Sequence, residues 1–60
     1  MLSVVVPAHD AAPYLAAALD SILRELPADG EVIVVDDGSR DATPEVIARY
    51  GDRVRGVRNE

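Results

Sequence analysis

The chain has no cysteine and no lysine, and each absence removes a class of function. Without cysteine there is neither a disulfide framework nor a thiolate metal site, a composition compatible with a reducing cytoplasm. All six cationic residues are arginines scattered along the sequence, and the formal net charge is −5. A polynucleotide partner needs clustered cations to neutralise phosphates, so no nucleic acid is expected. Long apolar runs are missing as well: the longest, Tyr14 to Leu19, is six residues, where a membrane-spanning helix needs about 20. The opening Met-Leu-Ser-Val also lacks the basic segment of an export signal. Sixty residues is short beside a usual domain of about 100 to 150, and such a chain buries only about 60% of its unfolded surface. The expectation is an incomplete domain over residues 1–60, with its remainder beyond residue 60.

What is present is concentrated in one stretch. Residues 32 to 35 (Val, Ile, Val, Val) are continuously apolar and mostly β-branched, which predicts a strand covered on both faces by helices. That run ends in two adjacent acids, Asp36 and Asp37. Gly38 then permits a tight or left-handed turn, Ser39 and Asp41 offer oxygens to unpaired backbone N–H groups, and Pro44 suits a first helical turn.

The rest of the chain supplies the frame. Leu2 to Val6 reads as a first strand that Pro7 stops by removing a backbone donor. Pro13 opens a helix whose apolar positions Leu15, Ala18, Leu19, Ile22 and Leu26 recur every three or four residues, and Pro27 and Gly30 end it. A second strand covers Glu31 to Asp36, a second helix runs from about Pro44 to Tyr50 with Gly51 as its cap, and Val54 to Val57 forms a third strand. Leu15, Leu19, Ile22, Leu26, Val46 and Ile47 are the expected core, with Tyr14 and Tyr50 packing and keeping a wet hydroxyl. The order βαβαβ predicts an α/β fold with a Rossmann-like parallel sheet. A six-residue strand at about 3.3 Å per residue and a 14-residue helix at about 1.5 Å per residue both span about 20 Å. The helix therefore returns the chain to its starting edge. Pro7, Ala8, His9 and Asp10 would then emerge beside Asp36, Asp37, Gly38 and Ser39, at the carboxyl edge where open α/β sheets bind ligands.

The chemistry of that edge is constrained by what its first loop lacks. A dinucleotide fold would place Gly-x-Gly-x-x-Gly after strand one, but Pro7-Ala8-His9-Asp10-Ala11-Ala12 stands there, and no Walker A loop occurs. Each carboxylate of the second loop would repel a phosphate charge about 6 Å away by roughly 3 kcal/mol at an effective dielectric of about 20. Asp36 and Asp37 suit uncharged donors such as a base N–H or ribose hydroxyls, or help to hold a divalent cation. A solvated, helix-capping turn is the plainer alternative for the two acids. Asp10 can cap helix one and contact a nucleotide, whereas Asp41 and Thr43 are assigned to capping helix two.

The two blocks Ser3 to Asp10 (Ser-Val-Val-Val-Pro-Ala-His-Asp) and Val34 to Thr43 (Val-Val-Asp-Asp-Gly-Ser-Arg-Asp-Ala-Thr), with a helix between them, resemble the N-terminal half of family 2 glycosyltransferases of the GT-A fold. The resemblance covers essentially all 60 residues. It implies an enzyme that transfers a sugar, usually with inversion, from a nucleotide-sugar donor (a UDP-sugar or a relative) to an acceptor hydroxyl on a glycan, lipid or protein, as in polysaccharide biosynthesis. By that resemblance the nucleotide-binding residues are Pro7, Ala8, His9, Asp10, Asp36, Asp37 and Gly38. Pro7 and Ala8 would line the nucleoside pocket, His9 would stack on the base in place of the commoner Tyr, and Asp37 would accept a base N–H. Asp36 would support the turn, and Asp10 stands where Asn is usual. A divalent metal, Mn or Mg, is implied as cofactor, with its Asp-x-Asp ligands and the catalytic base beyond residue 60. The implied location is cytoplasmic, or at the inner face of a membrane. The alternatives are a nucleotidyltransferase and a non-catalytic nucleotide-binding module.

Overall fold

A computed structural model describes residues 2–59. Its elements are β1 (Ser3–Ala8), α1 (Ala12–Glu25), β2 (Glu31–Asp37), α2 (Thr43–Ala48), a single 3-10 turn (Gly51–Arg53) and β3 (Arg55–Asn59). The three strands are parallel in the order β1-β2-β3, with Ala8 opposite Asp36 and Asp37 opposite Asn59. The chain thus has the α/β, Rossmann-like architecture that its periodicities predict.

Two right-handed crossovers that advance in one direction across a sheet place both helices on the same face. Helices α1 and α2 accordingly pack against each other. The pleat reports the same asymmetry, because Val32, Val34 and Asp36 are buried while Glu31, Ile33 and Val35 between them are only partly so. The expectation of a strand covered on both faces is corrected here: among the described residues, β2 has helices on one face only. The core between sheet and helices is Leu15 and Leu19 of α1, Val32 and Val34 of β2, and Val46 and Ile47 of α2, joined by Ala8, Ala11 and Val54. Ile22 and Leu26 pack on its margin. Gly56 is required for that packing, since a Cβ there would stand 2.9 Å from the Cγ2 of Ile47 and push α2 off β3.

Pro7 does not stop the first strand, which continues to Ala8. The carbonyl of Leu2 accepts the N–H of Glu31 at 2.8 Å. The two-residue alternation then turns the peptide groups of Val4, Val6 and Ala8 toward β2 and those of Ser3, Val5 and Pro7 toward the open edge. The N–H that Pro7 lacks is one that no described neighbour needs, so an edge strand tolerates it. Strand β3 likewise runs two residues past the expected Val57, to Asn59. Helix α2 ends at Ala48, and Gly51, with φ +56°, turns the chain into the 3-10 segment. Of the tyrosines only Tyr50 packs: its single hydroxyl proton is shared between Asp20 Oδ1 (2.8 Å) and the Ala16 carbonyl (3.0 Å), whereas Tyr14 is exposed.

The bare face carries Val5, 60% exposed, and Val57, 42% exposed, beside an unpaired β1 edge. Residues 1–60 expressed alone are therefore expected to be marginal, with no cooperative thermal transition above about 60 °C when followed by circular dichroism. A sharp two-state melt of the monomer above that temperature would show that the helix-covered face suffices.

Candidate nucleotide-binding edge

Parallel strands deliver their carboxyl ends to one edge, and the register brings the loop after β1 against the loop after β2. The two loops are stitched by backbone and side-chain groups together. Asp10 N–H donates to Ser39 Oγ at 2.9 Å, and Arg40 N–H donates back to Asp10 Oδ1 at 2.8 Å. Ala11 N–H donates to Thr43 Oγ1 at 2.9 Å, and Ala12 N–H to Asp41 Oδ2 at 3.2 Å. The first N–H groups of α1 are thus satisfied from the other loop, not by a cap of its own. Asp10 does not cap α1 as expected, because its carboxylate is drawn to Arg40. Its backbone sits at φ +49°, a left-handed conformation that Asp and Asn tolerate better than other side-chain-bearing residues.

Asp41 and Thr43 serve both helices. Asp41 Oδ1 accepts the Thr43 N–H at 2.9 Å and the Thr43 hydroxyl, while Thr43, fully buried, accepts from Ala11. The Thr43 hydroxyl, then the N–H groups of Thr43 and Ala12, hold the Asp41 carboxyl below its usual range.

The two acids of the turn have opposite environments, because the pleat points successive side chains to opposite faces. Asp36 faces the helices, and its side chain is 4% exposed. Its Oδ1 accepts the Ser39 N–H at 3.1 Å, closing the turn over Gly38 at φ +65°. Its Oδ2 accepts from Arg58 Nη1 at 2.9 Å, and Arg58 Nη2 donates to the Ser39 carbonyl at 3.2 Å. Asp37 faces the bare side and is exposed. One of its oxygens accepts from Asn59 Nδ2 at 3.4 Å. Ala8 is buried, so it can offer a pocket only its backbone, while Pro7 lies on the exposed side of β1. Arg58 and Asn59 are not legible as site residues when strand three is ended at Val57. Their signal is geometric: strands that share a carboxyl edge must bring 58 and 59 level with 36 and 37.

His9 bridges the loops. Its Nδ1 lies 2.7 Å from the Asp37 carbonyl, an acceptor, so Nδ1 carries a proton and donates. Nε2 then faces the Asp10 carboxylate at 3.4 Å, where a second proton is favoured. The hydrogen bond to the Asp37 carbonyl, and after it the charge of Asp10, raise the His9 pKa above 6.5.

No three His, Cys, Asp or Glu side chains among the described residues converge as metal ligands. Asp36 is bonded to the Arg58 guanidinium and Asp10 to the Arg40 N–H, in keeping with a resemblance that places the metal ligands beyond residue 60. Neither of two cavities among the described residues opens around Asp37 and His9. One of about 160 Å³ sits between α2 and β3, behind Asp36 and Arg58, and one of about 340 Å³ runs along Leu2, Val4, Ile22 and Leu26. The rim around Asp37 and His9 is open.

A parallel α/β half-sheet with an acid-ended second strand and no glycine-rich first loop is consistent with the N-terminal part of a GT-A, Rossmann-like domain. The profile of Glycosyl transferase family 2 matches residues 3–60, and the chain belongs to that family. It is 37% identical over 54 residues to an uncharacterized glycosyltransferase of Rickettsia typhi (strain ATCC VR-144 / Wilmington), covering 90% of this chain and 17% of the relative. It is 44% identical over 57 residues to the validoxylamine A glucosyltransferase of Streptomyces hygroscopicus subsp. jinggangensis (strain 5008), covering 92% of this chain and 14% of that protein. An uncharacterized glycosyltransferase of Bacillus subtilis (strain 168) is 33% identical over 58 residues, 97% of this chain and 17% of the relative. The chain thus spans about a sixth of the length of these relatives. No described helix is long and apolar enough to cross a membrane.

Two outcomes follow for the whole protein. Removing Arg58 leaves one oxygen of a buried carboxylate without its ionic partner. Arg58→Met is expected to cost about 1 to 3 kcal/mol in denaturant unfolding, at the low end because the guanidinium is itself 44% exposed, with Arg58→Lys recovering only part because an ammonium lacks the fork. His9 binds its proton more tightly when folded. Its contribution to stability is complete below about pH 6.5 and fades as pH rises through the higher folded pKa. NMR titration should give a His9 midpoint above 6.5 that falls in Asp10→Asn, yet stays raised while the Asp37 carbonyl bond persists.

Proposed function

We propose that this chain supplies the donor-binding edge of a glycosyltransferase that moves a sugar from a nucleotide-sugar, a UDP-sugar or a relative, to an acceptor hydroxyl with inversion. The observation that carries the reading is the exposed Asp37 carboxylate, held beside His9 at the carboxyl edge by loops locked to each other. An acceptor-only group at that position suits an N–H of the base, and the repulsion between carboxylates and phosphate directs the diphosphate away from it. His9 would stack on the base, Pro7 and the backbone of Ala8 would border it, and Asp36, Gly38 and Asp10 would hold the turn in shape.

The reaction of the whole protein would be attack by the acceptor oxygen on the anomeric carbon, with the nucleoside diphosphate departing. The acceptor, a glycan, lipid or protein, and the catalytic base would engage residues outside this chain. The divalent cation expected from the resemblance, Mn or Mg, belongs to the same proposal with ligands elsewhere, and no step is assigned to it. A cytoplasmic location is proposed on the same footing, being compatible with the cysteine-free composition.

The test compares donor affinity of Asp37→Asn and Asp36→Asn in the whole protein, by calorimetry, with circular dichroism to confirm folding. A charge-assisted hydrogen bond contributes roughly 1.5 to 3 kcal/mol, so Asp37→Asn should lose about tenfold or more, and Asp36→Asn less. A larger loss in a folded Asp36→Asn would exchange the roles of the two acids. No loss in either would remove the nucleotide from this edge.

A further inference from the structure

Beside Asp37 stands a second polar side chain that neither the turn nor the core uses. Asn59 is the cross-strand partner of Asp37 in the register of β2 and β3, so the two side chains leave the same face of the sheet from backbones about 4.8 Å apart. Asn59 Nδ2 donates to Asp37 Oδ1 at 3.4 Å. The orientation of the amide follows from chemistry: an ionised carboxylate only accepts, so Asn59 must turn its NH₂ group toward Asp37. One N–H of that group is spent on Asp37. The other, and the second oxygen of Asp37, have no hydrogen-bond partner among the described residues and open onto the exposed rim. An acceptor and a donor thereby stand side by side on one face of the sheet.

We propose that Asn59 is a specificity-determining residue for the donor. With Asp37 it reads the imide edge of a nucleobase, in which a ring N–H adjoins a carbonyl, as in uracil, thymine and guanine. The proposal rests on the reading of Asp37 given above, as acceptor for the ring N–H. Asp37 takes that proton and Asn59 donates to the neighbouring carbonyl oxygen. Guanine offers its amino group to the carboxylate as well. Cytosine and adenine carry a lone pair on the corresponding ring nitrogen, which would face a carboxylate. They also present no carbonyl beside an N–H for Asn59. An unpaired polar group in a recognition site discriminates more strongly than a change of apolar shape, so the pair can exclude these bases without a steric wall. The Asn59 contact also favours one aim of the carboxylate. Without it Asp37, exposed at a strand end, would sample several rotamers and pay to order one on binding.

The experiment measures affinity of the whole protein for UDP, GDP, dTDP, CDP and ADP by calorimetry, for the unaltered chain, Asn59→Leu and Asn59→Asp, with thermal melting as a check on folding. Leucine keeps the approximate volume without donors. The unaltered protein should prefer at least one of UDP, GDP and dTDP over both CDP and ADP by tenfold or more. Asn59→Leu should weaken the preferred nucleotide by about threefold to tenfold, the range of one neutral hydrogen bond, while CDP and ADP change less, so that the preference narrows. Asn59→Asp sets an acceptor against the base carbonyl and should narrow it further. An unchanged preference in Asn59→Leu, together with a loss in Asp37→Asn, would overturn the role of Asn59 and leave the donor edge standing. Tighter binding of CDP or ADP by the unaltered protein would overturn the imide reading. Insensitivity of every nucleotide to both the Asp37 and Asn59 substitutions would overturn the donor edge itself, and this proposal with it.

Discussion

The reciprocal hydrogen bonding between the two crossover loops is the constraint on which the rest of the site depends. Each loop leaves backbone N–H groups without helical partners, and each satisfies part of that deficit from the other: Ser39 and Thr43 accept from Asp10 and Ala11, and Asp10 accepts from Arg40. The Ala11–Thr43 bond is buried, and leaving its N–H unpaired would cost about 1 to 3 kcal/mol, so a shift of either loop breaks at least one bond that water does not replace. The consequence is positional: His9 and Asp37 belong to different crossovers yet are held together by the bond from His9 to the Asp37 carbonyl. No side chain in the described part of the chain is left buried and unsatisfied, which fits a rim whose shape is set before any ligand arrives.

Within that frame two identical side chains, one residue apart, are given different work by the pleat. Asp36 turns toward the helices and spends its charge on Arg58 and Ser39, and in doing so fixes where the chain reverses. Asp37 turns outward and keeps accepting capacity at the surface. Arg58 and Asn59 repeat the alternation on the next strand, the cation inward with the buried acid and the amide outward with the exposed one. Inward, the fork of an arginine matches both a carboxylate and a carbonyl. Outward, an uncharged amide orders its neighbour without neutralising it.

Much of this was legible from residue order. The apolar β-branched runs, the three- and four-residue spacing of Leu15, Leu19 and Ile22, and the acids followed by Gly38 specify a βαβαβ chain with one functional edge, because they reflect local periodicity and turn chemistry. What escaped depends on neighbours in space. Pro7 argues for a strand end only if its N–H would be needed, and that depends on which side of β1 is paired. Asp41 and Thr43 look like caps of the helix that follows them, yet they also serve the first helix, a role that only the docking of two loops creates. Ile33 and Val35 read as buried because they are apolar, but their burial depends on a second helical layer that two crossovers in one direction do not provide. Arg58 and Asn59 lie past Val57, where the apolar pattern of the third strand stops, and only the strand register brings them level with Asp36 and Asp37.

The place of Pro7 bears on how the chain avoids its own kind. Val4, Val5 and Val6 form a short, uncharged, strongly β-prone segment on an edge that no described strand pairs, the kind of template that recruits other strands when left uncovered. Edge pairing propagates only while each successive peptide can both give and accept, and Pro7, whose nitrogen faces outward, cannot give. Any strand that adds to this edge loses a ladder bond at Pro7, one residue short of the strand end. The residue that borders the proposed nucleoside site is thus also the one position of β1 whose nitrogen gives no ladder bond on the side away from β2.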